Sequence, residues 1–195
     1  LVQQAIAAET RLEPAVALKL LLEADAAKPN DAFILQKIAR QYSDLTLDQP
    51  DVDAKKRYAE TALDFSKRAV ALKPDYGEAF NNIGLLRATR GDHPRAIDAF
   101  ERAVALDGNK TAWLNNLGNS YVERFRFAEA LKAYDRALAI DPANAECWSN
   151  RGLALRGLRR PDEAIASFRR AIALVPAHVN ALSNLAVVLK EQKQL

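Results

Sequence analysis

Four asparagines, Asn82, Asn116, Asn150 and Asn184, stand 34 residues apart, and each follows another small polar residue, Asn81, Asn115, Ser149 or Ser183. A carboxamide carries both donors and an acceptor, so a row of them can bond the N–H and C=O groups of an extended peptide whatever its side chains. That chemistry holds a chain without breaking a bond. Groups able to break bonds are sparse. His93 and His178 have no cysteine or carboxylate constellation around them, which points to surface or packing roles. The single cysteine, Cys147, excludes a disulfide framework and a thiolate zinc cluster, and its place before Trp148 makes it a small packing residue. Asp48, Asp51 and Asp53 suggest calcium, but no glycine follows them, and Ala59 stands where a calcium loop starting at Asp48 needs a bidentate glutamate. A solvated loop with Asp53 capping the next helix is the expected arrangement. No catalytic residue, metal or cofactor is therefore assigned, and the chain reads as a non-enzyme.

The elements that position the asparagines repeat with the same period. Gly84, Gly118 and Gly152 form one column, Ala96, Ala130 and Ala164 a second, and Ala103, Ala137 and Ala171 a third. Apolar residues recur at helical spacing in two runs per repeat, as in Leu114, Leu117 and Tyr121, then Ala130, Leu131, Tyr134 and Leu138. Each repeat is a helical hairpin, ended by a proline such as Pro142 or Pro176. Glycine costs about 1 kcal/mol against alanine inside a helix, so its recurrence implies close approach of two helices. One hairpin cannot bury its own apolar face, and stacking supplies the neighbour. The expected fold is all-α, an α-solenoid of stacked antiparallel hairpins forming one domain over 1–195. Its repeats span about 1–31, 32–76, 77–110, 111–144 and 145–178, with a partial repeat at 179–195. The second carries eleven extra residues, placed at 44–53 between helices at about 31–43 and 54–72.

These columns resemble the tetratricopeptide repeat family, with small residues at repeat positions 8, 20 and 27, a large one near position 4 (Phe80, Leu114, Trp148) and proline at 32. The resemblance implies a right-handed superhelix whose first helices line a concave, peptide-binding wall. The asparagine column is similar to the ladder in the tetratricopeptide arm of O-linked N-acetylglucosamine transferases, as is NALSNLAVVLKEQ. The carboxylate clamp of chaperone-binding members needs lysine at position 5, where asparagine or serine stands here, which disfavours a chaperone tail. Residues 33–70 resemble part of the regulator of microtubule dynamics proteins.

On the first helices, positions 4, 7, 8 and 11 share one sector at about 100° per residue, leaving positions 2, 5, 6, 9, 12 and 13 for the open wall. The candidate peptide-binding residues there are Asn81, Asn82, Leu85, Asn115, Asn116, Asn119, Ser149, Asn150, Leu153, Arg156, Asn184 and Val187. On this reading each asparagine is replaceable by alanine with little effect on folding. A column inherited by duplication and used for helix-to-helix bonds is the other use of the same residues.

With 28 basic and 25 acidic residues the net charge is only +3, and Glu78, Glu123, Glu146 and Glu191 make the wall slightly acidic, which argues against a nucleic-acid groove. The recurring Arg68, Arg102, Arg136 and Arg170 belong to second helices. No apolar run suggests a membrane span or signal peptide, and the cytoplasm is the favoured compartment. The expected function is a scaffold for a protein or peptide partner. A glycosyltransferase's substrate-recognition arm and a self-assembling scaffold are the alternatives. The lack of methionine, together with Leu182, Leu185, Val188 and Leu189 on a terminal first helix, leads to the expectation of an excised piece that continues past Leu195 and self-associates at that end.

Overall fold

Residues 1–11, 13–46, 48–49 and 51–192 are described by a computed structural model, in which the regular elements of these residues are eleven α-helices. They form two compact units, Leu1–Asp92 and His93–Leu195. The first holds α1 (Val2–Thr10), α2 (Pro14–Ala27), α3 (Ala32–Asp44), α4 (Val52–Leu72) and α5 (Gly77–Ala88). Each of these packs on the next, around Ala5, Leu18, Leu21, Ile34 and Ile38 and, further along, Leu35, Ala69 and Ala79. The second holds α6 (His93–Leu106), α7 (Thr111–Glu123), α8 (Phe127–Ile140), α9 (Ala145–Gly157), α10 (Pro161–Leu174) and α11 (Val179–Gln192). Here too successive helices pack in order, while α7 also touches α9 and α9 touches α11, so these first helices lie side by side. Of the described residues, no helix is long and apolar enough to cross a membrane.

Proline opens α2 and α10, where its missing N–H is no loss. Asp31 caps α3 by accepting from the amides of Phe33 at 3.0 Å and Ile34 at 3.4 Å, and Asn144 caps α9 through the Cys147 amide at 2.9 Å. The cap of α4 is Asp51, which accepts from the Ala54 amide at 2.6 Å; Asp53, expected in that role, lies in the first turn. The eleven extra residues are also distributed differently from the expectation. α4 has 21 residues where α6, α8 and α10 have 14, so seven of them lengthen the helix and the remainder the connection. Leu47 and Pro50 of that connection lie outside the described residues.

The small-residue columns sit at helix contacts. Ala96, Ala130, Ala164, Ala103 and Ala171 are fully buried and Ala137 is 1% exposed. A Cβ on Gly152 would stand 2.5 Å from the Phe168 ring, and one on Gly118 would collide with Tyr134. Ala137→Leu should therefore lower stability by about 1 to 3 kcal/mol, read as a lower urea midpoint. An unchanged midpoint would mean the column marks no contact.

On α11, Val188 is buried and Leu185 and Leu189 pack on the α9–α10 core, whereas Leu182 is 44% exposed. Of the four apolar residues named on this helix, Leu182 is the one left largely exposed.

Candidate peptide-binding face

The position-6 asparagines of the second unit, Asn116, Asn150 and Asn184, lie on α7, α9 and α11 and are half-buried. Asn82, on α5 of the first unit, is half-buried as well, with its Nδ2 enclosed and unpartnered. Position 5 departs from the expectation of an open wall, because Asn115 and Ser149 are buried and only Ser183 is exposed, with Asn81 half-buried. The reason is angular. At about 100° per residue, position 5 lies only about 60° from position 8, on the flank a following hairpin covers, while position 6 lies on the far side. The two positions meet in one bond: Asn150 Nδ2 donates to Asn115 Oδ1 at 3.2 Å. The carboxamide of Asn150 thus ties two first helices together through its nitrogen, and its Oδ1 has no partner among the described residues.

The other candidates divide between open and engaged. Leu85 is 36% and Val187 40% exposed, and Leu153 is half-buried. Asn119 Oδ1 accepts from the Tyr134 hydroxyl at 2.7 Å, so that side chain helps hold α7 to α8. Arg156 forms a two-pronged bond with Glu191, 2.8 and 3.3 Å, bridging α9 and α11. Among the described residues, Asn184 has no partner at either end of its amide. In the first unit the corresponding face is charged: Lys37 Nζ lies 2.6 Å from Glu9 Oε2, and Gln41 Nε2 donates to Glu9 Oε1 at 2.8 Å.

The residues considered for chemistry take structural places. Cys147 is fully buried, burial pushes its thiol up to about 12, and its Sγ lies 3.7 Å from the Tyr134 carbonyl oxygen. A thiol held protonated in this way is a poor nucleophile at neutral pH. His178 Nδ1 accepts from the Ala181 amide at 3.3 Å and caps α11.

One feature of the second unit lay outside the sequence reading. A groove of about 560 Å³ runs beside the ends of α7 and α9, where Leu153 and Arg156 are joined by Phe125, Phe127, Gly157 and Arg159. The only sequence signal for it was Gly91, which occupies the same turn position as Phe125 and Arg159 one and two repeats later. All three have positive φ, at 73°, 56° and 58°.

A family model described as Tetratricopeptide repeat matches residues 83–145, 115–179 and 149–195. Another, Regulator of microtubule dynamics protein 1-3, matches residues 2–95, a longer stretch than the 33–70 read from the sequence. No curated protein sequence matches the chain. Among solved structures, the fold is similar to that of MamA, with TM-score 0.73 and 24% identity over 87% of this chain and 93% of that one. It is similar to YrrB, described as a TPR protein with an unusual peptide-binding site, with TM-score 0.74 and 20% identity over 93% of this chain and 88% of that one. A third likeness is the first TPR of Spaghetti (RPAP3) bound to the HSP90 peptide SRMEEVD, with TM-score 0.58 and 21% identity over 60% of this chain and 93% of that one.

Proposed function

The chain belongs to the tetratricopeptide repeat family, and on that premise we propose that it is a non-catalytic interaction scaffold holding an extended segment of a partner protein along its first helices. The observation that carries the reading is the division of labour at Asn150. Its Nδ2 is fixed on Asn115, which orients Oδ1 as an acceptor free for a peptide N–H. Asn184, with neither end engaged, offers donor and acceptor together. Leu153 and Val187 add apolar area beside them. The solved relative bound to an HSP90 peptide supports this mode by analogy of fold alone.

The bond at Asn150 revises what substitution should do. Asn150→Ala should lower stability by about 0.5 to 1.5 kcal/mol, because it strands the buried Asn115 carbonyl. Asn184→Ala should leave stability within a few tenths of a kcal/mol, since alanine is the better helix former and no bond is lost. Against a peptide selected from a random display library on the intact chain, each change should weaken binding by about 0.5 to 1.5 kcal/mol. Calorimetric titration and urea unfolding of the two variants check this. Selected peptides indifferent to both substitutions would make the asparagines purely structural.

A further inference from the structure

The groove beside the ends of α7 and α9 is built by residues that the general repeat plan does not call for. Phe125 is 81% exposed in the turn between α7 and α8, with a left-handed backbone at φ 56°. That conformation is natural to Gly91 in the equivalent turn and unfavourable for a bulky aromatic, and at this exposure the ring buries little area in return. Its ring stands edge-to-face with Phe127, centroids 6.1 Å apart at 81°. Phe127 in turn reaches across to Gly157 at the end of α9, where a Cβ would lie 2.6 Å from its ring. In the repeats on α7 and α11 that helix position holds Glu123 and Glu191, so the glycine is what admits the ring. The result is an aromatic wall over a floor of Val122 and Leu153.

Charge defines the rest of the occupant. Arg156 is neutralised by Glu191, and on the flanking turns Arg126 and Arg160 are neutralised by Glu129 and Glu163. Among the described residues, Arg159, in the groove lining, and Arg124, beside Phe125, form no ion pair, against one unpaired lining anion, Glu123. The unpaired charge around the aromatic wall is thus net positive. We propose that this groove is an anchor subsite that seats an aromatic side chain of the bound segment, with an adjacent carboxylate of that segment pairing with Arg159. The inference rests on the peptide-binding reading above but not on the asparagine column.

The probe is acetyl-Gly-Phe-Asp-Gly-amide titrated into the ¹⁵N-labelled full chain, with Phe→Ala and Asp→Asn peptides beside it. The Phe-Asp peptide should shift the Gly157 and Arg159 amides with saturation, the Asp→Asn peptide should bind roughly threefold to tenfold more weakly, and the Phe→Ala peptide should give no saturable shift. Phe125→Gly should weaken binding at least fivefold while melting at the same or a higher temperature, because the strained turn relaxes. Arg159→Gly, also relieved of a left-handed side chain, should lose the preference for Asp over Asn. Unshifted Gly157 and Arg159, or a Phe125→Gly variant that binds normally or unfolds more easily, would overturn the proposal. The two readings fail separately. Asn184→Ala should leave the tetrapeptide affinity within twofold, so a groove that fails while longer selected peptides still need Asn184 leaves the column standing. A groove that binds while Asn184 is indifferent leaves only the anchor.

Discussion

Replacing Lys37 by methionine should cost about 3 to 5 kcal/mol, the largest loss expected from any single substitution considered for this chain. Lys37 and Glu9 approach to 2.6 Å with side chains only 17% exposed, and the buried Gln41 holds the second carboxylate oxygen. Removing the ammonium leaves a shielded carboxylate with one neutral donor, which cannot replace the hydration lost on folding. Converting both partners, Glu9→Leu with Lys37→Met, should recover most of the loss, because no charge then remains to be desolvated. The Lys28–Asp31 pair at 3.3 Å is the control: the Lys28 side chain is 79% exposed, and Lys28→Met should hardly move the urea midpoint. Equal effects of Lys37→Met and Lys28→Met would contradict the account.

Gly152→Leu should lower stability by about 3 kcal/mol, although helix propensity alone predicts a gain of about 1 kcal/mol. The first added carbon would fall 2.5 Å from the ring of Phe168, which is fully buried in the α9–α10 core. Even Gly152→Ala should be destabilising. Pairing it with Phe168→Leu, which removes the ring, should make the double variant more stable than the two separate losses predict. If Gly152→Ala raises the midpoint, the glycine column reports ancestry and the helices have slack there.

Much of this was legible because it depends on short-range pattern. The glycine and alanine columns announce helix contacts, and the contacts of Gly152 with Phe168 and of Gly118 with Tyr134 are their realisation. The eleven extra residues are legible in the repeat spacing, but their division between helix and connection depends on Asp51 capping α4, where the sequence pointed to Asp53. A helical wheel does not show where a neighbouring hairpin lies, so it leaves Asn115 and Ser149 on the open wall although both are buried. The turn conformation of Phe125 and Arg159 left almost no trace, since neither residue type signals positive φ as glycine does. For the same reason the groove they border could only be found in three dimensions.

The most direct test of backbone recognition by the asparagine column is a double-mutant cycle between protein and peptide. A display-selected peptide is prepared with each backbone amide N-methylated in turn, and its affinities for the wild-type chain and for Asn184→Ala are compared. If Asn184 grips the peptide backbone, one methylated position should weaken binding to the wild type by about 0.5 to 1.5 kcal/mol and have little further effect on Asn184→Ala. Methylation effects of equal size in both proteins at every position would show that Asn184 touches no backbone amide, and backbone recognition by the column would be wrong.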